Sequence, residues 1–547
     1  MRWWKVSISL LLIASLTTGV AIRARAQAEP ELRVSAEVGH DLSPALRDLA
    51  AAVAARPRSG VHGEILPLHR LPIATGAPTR PGALQTRAKI PFAATIGLNF
   101  DGLGASMPGF APLYTPPDTT GAAGATQYVQ WVNTSFAVFD KATGNLILGP
   151  MDGNALWLGF GGGCEFRNDG DPIVNYDKQA GRWMLSQFTS KPPYLECVAV
   201  SQTSDATGAY YRYAFAMGAN LADYPHAGVW PDAYYFSFNM FDGTTSALLG
   251  GRACAFDRIA MLAGAPATQI CFDSTNTFGM IPSDWDGATA PPAGSPDYFV
   301  QMAANSLNIY SFHTDFTNPA SATFTGPFNL PVAPFTPACA DNQPVGGEIA
   351  RAGAAVQQGC VPQHGAELKL EELSDRLMYR AAYRNFTTHE SLVITHAVAR
   401  AILDKKPAGA AIRWYELRGL SITPTVFQQG AYAPNPQWRW MSSGGMDAVG
   451  DIAIGYSVSS PFLFPAIRVA GRTPADPAGT LEAETTVVDG AAPQLGSYRW
   501  GDYSAMSIDP ADDCTFWYTT EYIARRKDGP NWNTRIASFK YPGCVAP

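Results

Sequence analysis

One kind of segment, recurring seven times between Pro116 and the C-terminus, limits what this chain can fold into more than any other feature. The copies begin at Pro116, Gly170, His226, Ser295, Leu373, Arg439 and Arg499, for example "GDPIVNYDKQAGRWMLSQF" from Gly170. Most carry Gly, Pro or Asp among their first four residues, run through alternating aromatic and β-branched residues, turn, and run again. Period-two alternation split by Asp-x-x-x-Gly or Asp-x-x-Gly turns is a hairpin signature. Asp140–Gly144, Asp177–Gly181, Asp205–Gly208 and Asp447–Gly450 are such turns. A repeat of this length is too short for a domain and suits one four-stranded sheet per copy. The pattern therefore predicts an all-β chain, a seven-bladed β-propeller over residues 96–547, closed by strand pairing near "RIASFKYPGC". Two smaller β-sandwiches are the competing architecture. The even spread of the copies, with no polar linker between halves, favours one ring. The 51 Gly, 43 Pro and 11% aromatic residues agree with many short strands and tight turns.

The N-terminal part differs. Arg2 and Lys5 precede the apolar run "VSISLLLIASLTTGVA", which is followed by an Ala-x-Ala site at Ala24–Ala26. That order reads as a signal peptide over 1–26, cleaved after Ala26 or Ala28. An uncleaved anchor is the competing reading, although a spanning helix wants about 20 apolar residues. Residues 27–95 are Ala- and Pro-rich, with a short helix predicted from about Ser43 to Ala55. They read as a linker or propeptide-like segment without a core of its own, or else as an extended arm packed on the main domain. The resulting expectation is a secreted chain, extracellular or periplasmic, monomeric and without membrane insertion.

Eight cysteines, none in CxxC or zinc-type spacing with histidine, read as disulfides in an exported chain. Pairing of sequence neighbours predicts Cys164–Cys197, Cys254–Cys271, Cys339–Cys360 and Cys514–Cys544. A net charge of −7, with only 16% charged residues, argues against nucleic acid or an anionic membrane as partner.

In a propeller the first strand of each blade lines the central channel, and polar residues at its leading end gather at one mouth. Asp177, Gly181 and Trp183 are then structural: a turn on the outer side and an indole packed between blades. Asp118, Asp169, Asp171, Asp232, Asp297, Asp375 and Asp502 stand at blade beginnings, with Glu165, His226, Arg376, Arg439, Arg499 and Tyr503 near them. Glycoside hydrolysis needs two carboxyls facing one another, one protonated and one ionised. Asp171, Asp232 and Asp502 each lie beside an aromatic or basic residue and are the candidates for acid, base or nucleophile. Arg499, His226, Trp230, Tyr503 and Arg376 are candidates for holding the sugar. A lyase would use Tyr503 or His226 as base, with Arg499 neutralising a uronate. Repeated aspartates that fix one blade to the next by accepting backbone N–H groups are the alternative role. GxSxG, HExxH, P-loop and dinucleotide motifs are absent from the sequence, and "GFGGG" at Gly159–Gly163 reads as a loop. No cofactor is called for. Acid-rich loops such as "RNDGDP" leave room for one structural Ca²⁺ in the channel.

The motifs "PPDTTGAAGATQYVQWVNTSFAVFDK", "NDGDPIVNYDKQAGRW", "YPHAGVWPDAYYFSFN" and "RWGDYSAMSIDPADDCTFWYTTEY" resemble a family of exported bacterial proteins of propeller type, over nearly all of 96–547. There is also a looser similarity to sialidases and related glycosidases, whose blades carry Asp-box turns. The resemblance implies the fold and export. Residues and compartment together point to a secreted carbohydrate-active enzyme, a glycoside hydrolase acting on an extracellular glycan or polysaccharide. A non-catalytic glycan- or protein-binding propeller and a polysaccharide lyase are the alternatives.

Overall fold

The computed structural model describes residues 29–53, 71–72, 79, 81–339, 359–404, 406–527 and 529–545. The signal-peptide reading of 1–26 lies outside them. The chain is nearly all β. Among the described residues most strands form seven consecutive antiparallel groups, in which each strand pairs with the next in sequence, and Val361–Gln363 with Ala366–Leu370 makes a separate two-stranded sheet. The opening strands are Thr119–Ala123, Ile173–Asp177, Leu221–Val229, Ile281–Asp286, Met378–Asn385, Trp438–Met446 and Ala505–Ile508. Each opening strand touches the opening strand of the next group, and the seventh touches the first, so the seven form a closed ring. The fourth and fifth groups are joined further by parallel pairing of Ser283–Asp286 with Ala381–Arg384.

Several opening strands are buried at every position, Thr119–Ala123, Ile173–Asp177 and Ile281–Asp286 among them. Their two faces both meet neighbours, so the alternation that marks half-exposed strands is lost. This accounts for one displaced expectation. The fourth group opens on "IPSDWD" at Ile281, whereas the copy beginning at Ser295 supplies its second and third strands. The ring packs closely enough that a Cβ at Gly228 would lie 2.0 Å from the Ser283 carbonyl oxygen.

The seventh group has three strands from the C-terminal part. Its fourth, Thr95–Gly104, comes from the other end of the domain and pairs with Asn533–Lys540. The pairing near "RIASFKYPGC" thus joins the two ends. Residues 27–95 also contribute to sheets. Glu31–Ala36 pairs with Thr268–Ser274, Gly39–Leu42 with the outer strand Tyr210–Ala216, and Leu84–Gln85 with Thr425–Tyr432. Helix Leu46–Val53 buries Leu46 and Leu49 in the cluster that holds Trp157 and Trp183. The described parts of the segment thus extend the outer edges of the second, third and fifth groups.

All four disulfides join the expected cysteines: Cys164–Cys197, Cys254–Cys271, Cys339–Cys360 and Cys514–Cys544. They suit an oxidising, non-cytoplasmic compartment. Among the described residues no helix is long and apolar enough to cross a membrane.

The turn after Ile173–Asp177 departs from expectation. Asp177 is fully buried at the trailing end of the ring rather than on the outside. Its carboxylate accepts from Arg258 Nε and Nη2 (2.6 and 2.9 Å), from Tyr234 Oη (3.0 Å) and from the Ala180 amide (3.0 Å). Asp177 therefore ties the second group to the third while capping its own turn. Trp183 is buried against Tyr176, with ring centroids 4.8 Å apart, and a Cβ on Gly124 of the first group would meet its indole at 2.4 Å. It packs between groups.

Candidate functional site

The leading ends of the opening strands share a backbone device. Asp118, Asp171, Tyr224, Met441 and Asp502 all sit in the left-handed region, with φ of 46, 43, 57, 53 and 58°, one to three residues before regular pairing resumes. Gly279 takes the same place in the fourth group at φ 55°. A short polar side chain that bonds locally is among the few non-glycine types to accept this conformation at modest cost, which explains the recurring aspartate. At Tyr224 the conformation coincides with a bulge between Asp223 and His226. Bulges re-aim side chains at barrel rims and next to active sites.

These residues converge. Asp502 accepts Arg499 Nη2 on both oxygens at 2.7 Å, and Arg499 Nε donates to Glu371 at 2.8 Å. Asp171 accepts the Tyr224 amide at 3.2 Å, while the Tyr224 hydroxyl donates across the ring to the Asp502 carbonyl at 3.0 Å. Asp118 accepts the Asn133 side-chain amide at 2.7 Å. Arg376 lies over the Tyr224 ring, 4.5 Å from its centroid, and pairs with Asp375 at 2.8 Å. Tyr503 donates to the Pro172 carbonyl at 3.1 Å.

Below the carboxylates the channel is plugged. His226 packs against Tyr224, Tyr379 and Tyr503, with centroids 4.5, 5.5 and 5.8 Å away. Tyr379 reaches across to Asn175 Oδ1 at 2.6 Å. Burial, and then Arg376, push the His226 imidazole down to about 3, so it is neutral at any ordinary pH.

The carboxylates at this mouth stand in unlike surroundings. Burial first, then Asp223, then Asp502 hold the Asp171 carboxyl well above the ordinary range. Burial first, then Asp502 and Asp171 do the same to Asp118. Glu521 behind them is raised by burial, then by Glu371 and Asp502. Asp502 has the Arg499 guanidinium against both of its oxygens. Asp171 and Asp223 are the partly exposed members.

The structure thus brings Asp171, Asp502, Arg499, His226, Tyr503 and Arg376 to one end of the ring. It does not bring Asp232 or Trp230 there. Asp232 lies in the turn after Leu221–Val229, at the opposite end from Tyr224, and accepts the Tyr235 hydroxyl at 3.1 Å. Trp230 is buried edge-on against Tyr383, with centroids 4.7 Å apart. Asp297, Arg439 and Asp169 are also elsewhere. Asp297 accepts the Ser283 amide, Arg439 pairs with Glu484, and Asp169 accepts from Ser190. Glu165 accepts the Gly161 amide. The members that sequence reasoning missed are Asp223, Tyr224, Tyr379 and Asn133. Alignment of "GDP" at 170–172 and "GDY" at 501–503 with "DYP" at 223–225 would have found the first two.

At the trailing end Lys178, Asp284, Asp286 and Arg380 form an ion-pair chain, with Arg380 donating to Asp284 at 2.6 Å and to Asp286 at 2.7 Å. Lys178 pairs with Asp286, and burial followed by Arg380 pushes its ammonium down to about 7. The hollow beside them has a free volume of about 20 Å³. That is room for a water and not for a sugar ring.

No family of known proteins matches the sequence, and no curated protein does either. Solved structures similar to the chain include the N-terminal domain of Nup159, at 8% identity and a TM-score of 0.33, covering 88% of this chain and 100% of that one. The WD40 domain of SCAP from fission yeast is 8% identical at a TM-score of 0.32, covering 77% of this chain and 81% of the other. The phage phi92 endosialidase is 8% identical at 0.31, with 82% and 69% covered.

Proposed function

We propose that this chain is an exported seven-bladed β-propeller that hydrolyses a glycan at its leading mouth. Seven antiparallel groups whose opening strands touch in a closed ring support the architecture. The observation that carries the activity is the pairing of two partly exposed carboxylates, Asp171 and Asp223, from adjacent sheets. Unlike environments assign unlike roles to such a pair. Asp171, raised by burial and by its acidic neighbours, is the proton donor to the glycosidic oxygen. Asp223 acts from the opposite side as base or nucleophile. Asp502, held by Arg499, supplies fixed negative charge near a developing oxocarbenium ion. Asp232 has no part in this pair.

The lyase reading is less well supported. Arg376 and Arg499 are already engaged by Asp375, Glu371 and Asp502. The Tyr503 phenol, far above its ordinary range through burial and then Asp171 and Asp118, is a poor base. The test is release of reducing ends from a panel of plant, microbial and sialylated glycans. Turnover lost in both Asp171→Asn and Asp223→Asn, with glycan binding retained, is the expected result. Binding without turnover by the unaltered protein would instead make it a recognition module.

A further inference from the structure

We propose that Tyr224 is a positioning residue, a strut that fixes Asp171 and Asp223 relative to one another where the second and third sheets meet. Its catalytic consequence rests on the hydrolase reading; its structural consequence does not. The first observation is the residue type. Aspartate or glycine takes the left-handed position at Asp118, Asp171, Gly279 and Asp502. Those types accept a positive φ at modest cost, whereas a bulky ring-bearing side chain does not. Tyr224 nevertheless holds φ 57°. Such backbone persists only where its surroundings over-determine it, and it gathers at functional sites.

The second observation is what that conformation achieves. The Tyr224 amide donates to Asp171 Oδ2 at 3.2 Å, across to the second sheet. The Tyr224 hydroxyl donates to the Asp502 carbonyl at 3.0 Å, across to the seventh. Arg376 lies over one face of the ring, 4.5 Å from its centroid, and the His226 ring meets it edge-on at 4.5 Å. Burial holds the phenol far above its ordinary range, so it stays protonated and remains a donor. Asp223 precedes Tyr224, and the bulge begins between Asp223 and His226. Only the 3.2 Å hydrogen bond and two backbone bonds therefore separate the Asp171 oxygen from the Asp223 Cα. Aspartate or glycine at 224 would relieve the backbone but could not reach the seventh sheet. That reach is what the tyrosine supplies.

The strut also bears on the acidity of Asp171. Burial, then Asp223 and Asp502, raise its carboxyl, and the Tyr224 amide followed by Arg499 pulls it back. Asp118 and Tyr503 face it as well. A Tyr224 amide that drifts away leaves Asp171 a weaker acid.

The test compares Tyr224→Phe, which keeps the ring and removes the far end of the strut, with Tyr234→Phe. The second variant removes a buried hydroxyl bonded to Asp177 at the other end of the ring. The Asp171 carboxyl is titrated by NMR of isotope-labelled protein, its signal being the one missing from Asp171→Asn. Its midpoint should move to higher pH in Tyr224→Phe and stay in place in Tyr234→Phe. On a glycan that the unaltered protein turns over, Tyr224→Phe should lower kcat about 10–10²-fold with KM unchanged. The basic limb of the rate profile should move to higher pH with the same carboxyl. A midpoint that Tyr224→Phe shifts no more than Tyr234→Phe does, or an unchanged kcat on a glycan that is turned over, overturns the proposal. If no glycan is turned over, the hydrolase reading fails and the midpoint alone decides this one. Should Tyr224→Phe fail to fold, the bond is read from its other end. Asp171→Gly, which suits the left-handed backbone, should speed hydrogen exchange at the Tyr224 amide about tenfold or more, and unchanged exchange overturns the proposal.

Discussion

Removing Arg258 should unfasten the second sheet from the third, and the structure sets the size of the effect. Asp177 is 0% exposed and accepts four hydrogen bonds, two of them from Arg258. Arg258→Met leaves the carboxylate with the Tyr234 hydroxyl and one amide, both neutral. Truncating one partner of a buried ion pair costs about 3–5 kcal/mol, chiefly because the remaining charge stays in low dielectric. Unfolding entropy of about 2.1 cal/mol/K per residue over roughly 450 cooperative residues turns about 4 kcal/mol into a loss of about 4 °C in Tm. The charge can also be removed from the other side. Asp177→Asn combined with Arg258→Met should cost clearly less than the sum of the single changes, with a coupling above about 1 kcal/mol. The assay is urea denaturation of all four proteins, accepted only where the m-values agree. A single-variant cost below about 1 kcal/mol, or strict additivity, would refute the reasoning.

Asp171→Asn should lower glycan turnover about 10²–10⁴-fold while leaving the melting temperature nearly unchanged; initial rates beside thermal scans check this. Burial pushes the Glu196 carboxyl up to about 8, so the folded protein retains a proton there that the unfolded chain loses near 4.5. Stability should therefore fall as pH rises between those values, and Glu196→Gln should flatten that slope in denaturation series from pH 5 to 9. Replacing Cys254 and Cys271 by Ala removes a cross-link of separation 17 and should cost about 3 kcal/mol through the unfolded state. Gly228→Ala, whose new methyl would collide with the Ser283 carbonyl, should destabilise by about 1–3 kcal/mol or block folding, as circular dichroism and solubility would report.

Local physics made part of this structure legible. Alternation between turns exposed the hairpins, and sequence proximity among the cysteines gave all four pairs. Aspartate before a strand signalled Asp118, Asp171 and Asp502, because the left-handed backbone there favours short polar side chains. Other features depended on packing that no single stretch encodes. Trp230 and Asp232 follow the same strand that carries His226. That strand is nine residues long, so its two ends reach opposite mouths of the ring. The strand opening at Ile281 lacked alternation because both of its faces are covered. Asp177 resembled a surface turn until Arg258, some eighty residues away, proved to be its partner. Asp223 was passed over because a bulge, invisible in composition, brings it to the mouth.

The strand Thr95–Gly104 is made early, and its partner Asn533–Lys540 is made among the last residues. Bringing ends more than four hundred residues apart together carries a loop-closure cost of about 5 kcal/mol, from (3/2)RT ln n. Until that meeting the first and seventh sheets each present an open side, and the mouth carboxylates contributed by Asp118 and Asp502 have no common frame. The seam therefore acts as a timer. A chain made from its N-terminus stays incomplete until its tail is free, and the acidic mouth assembles last.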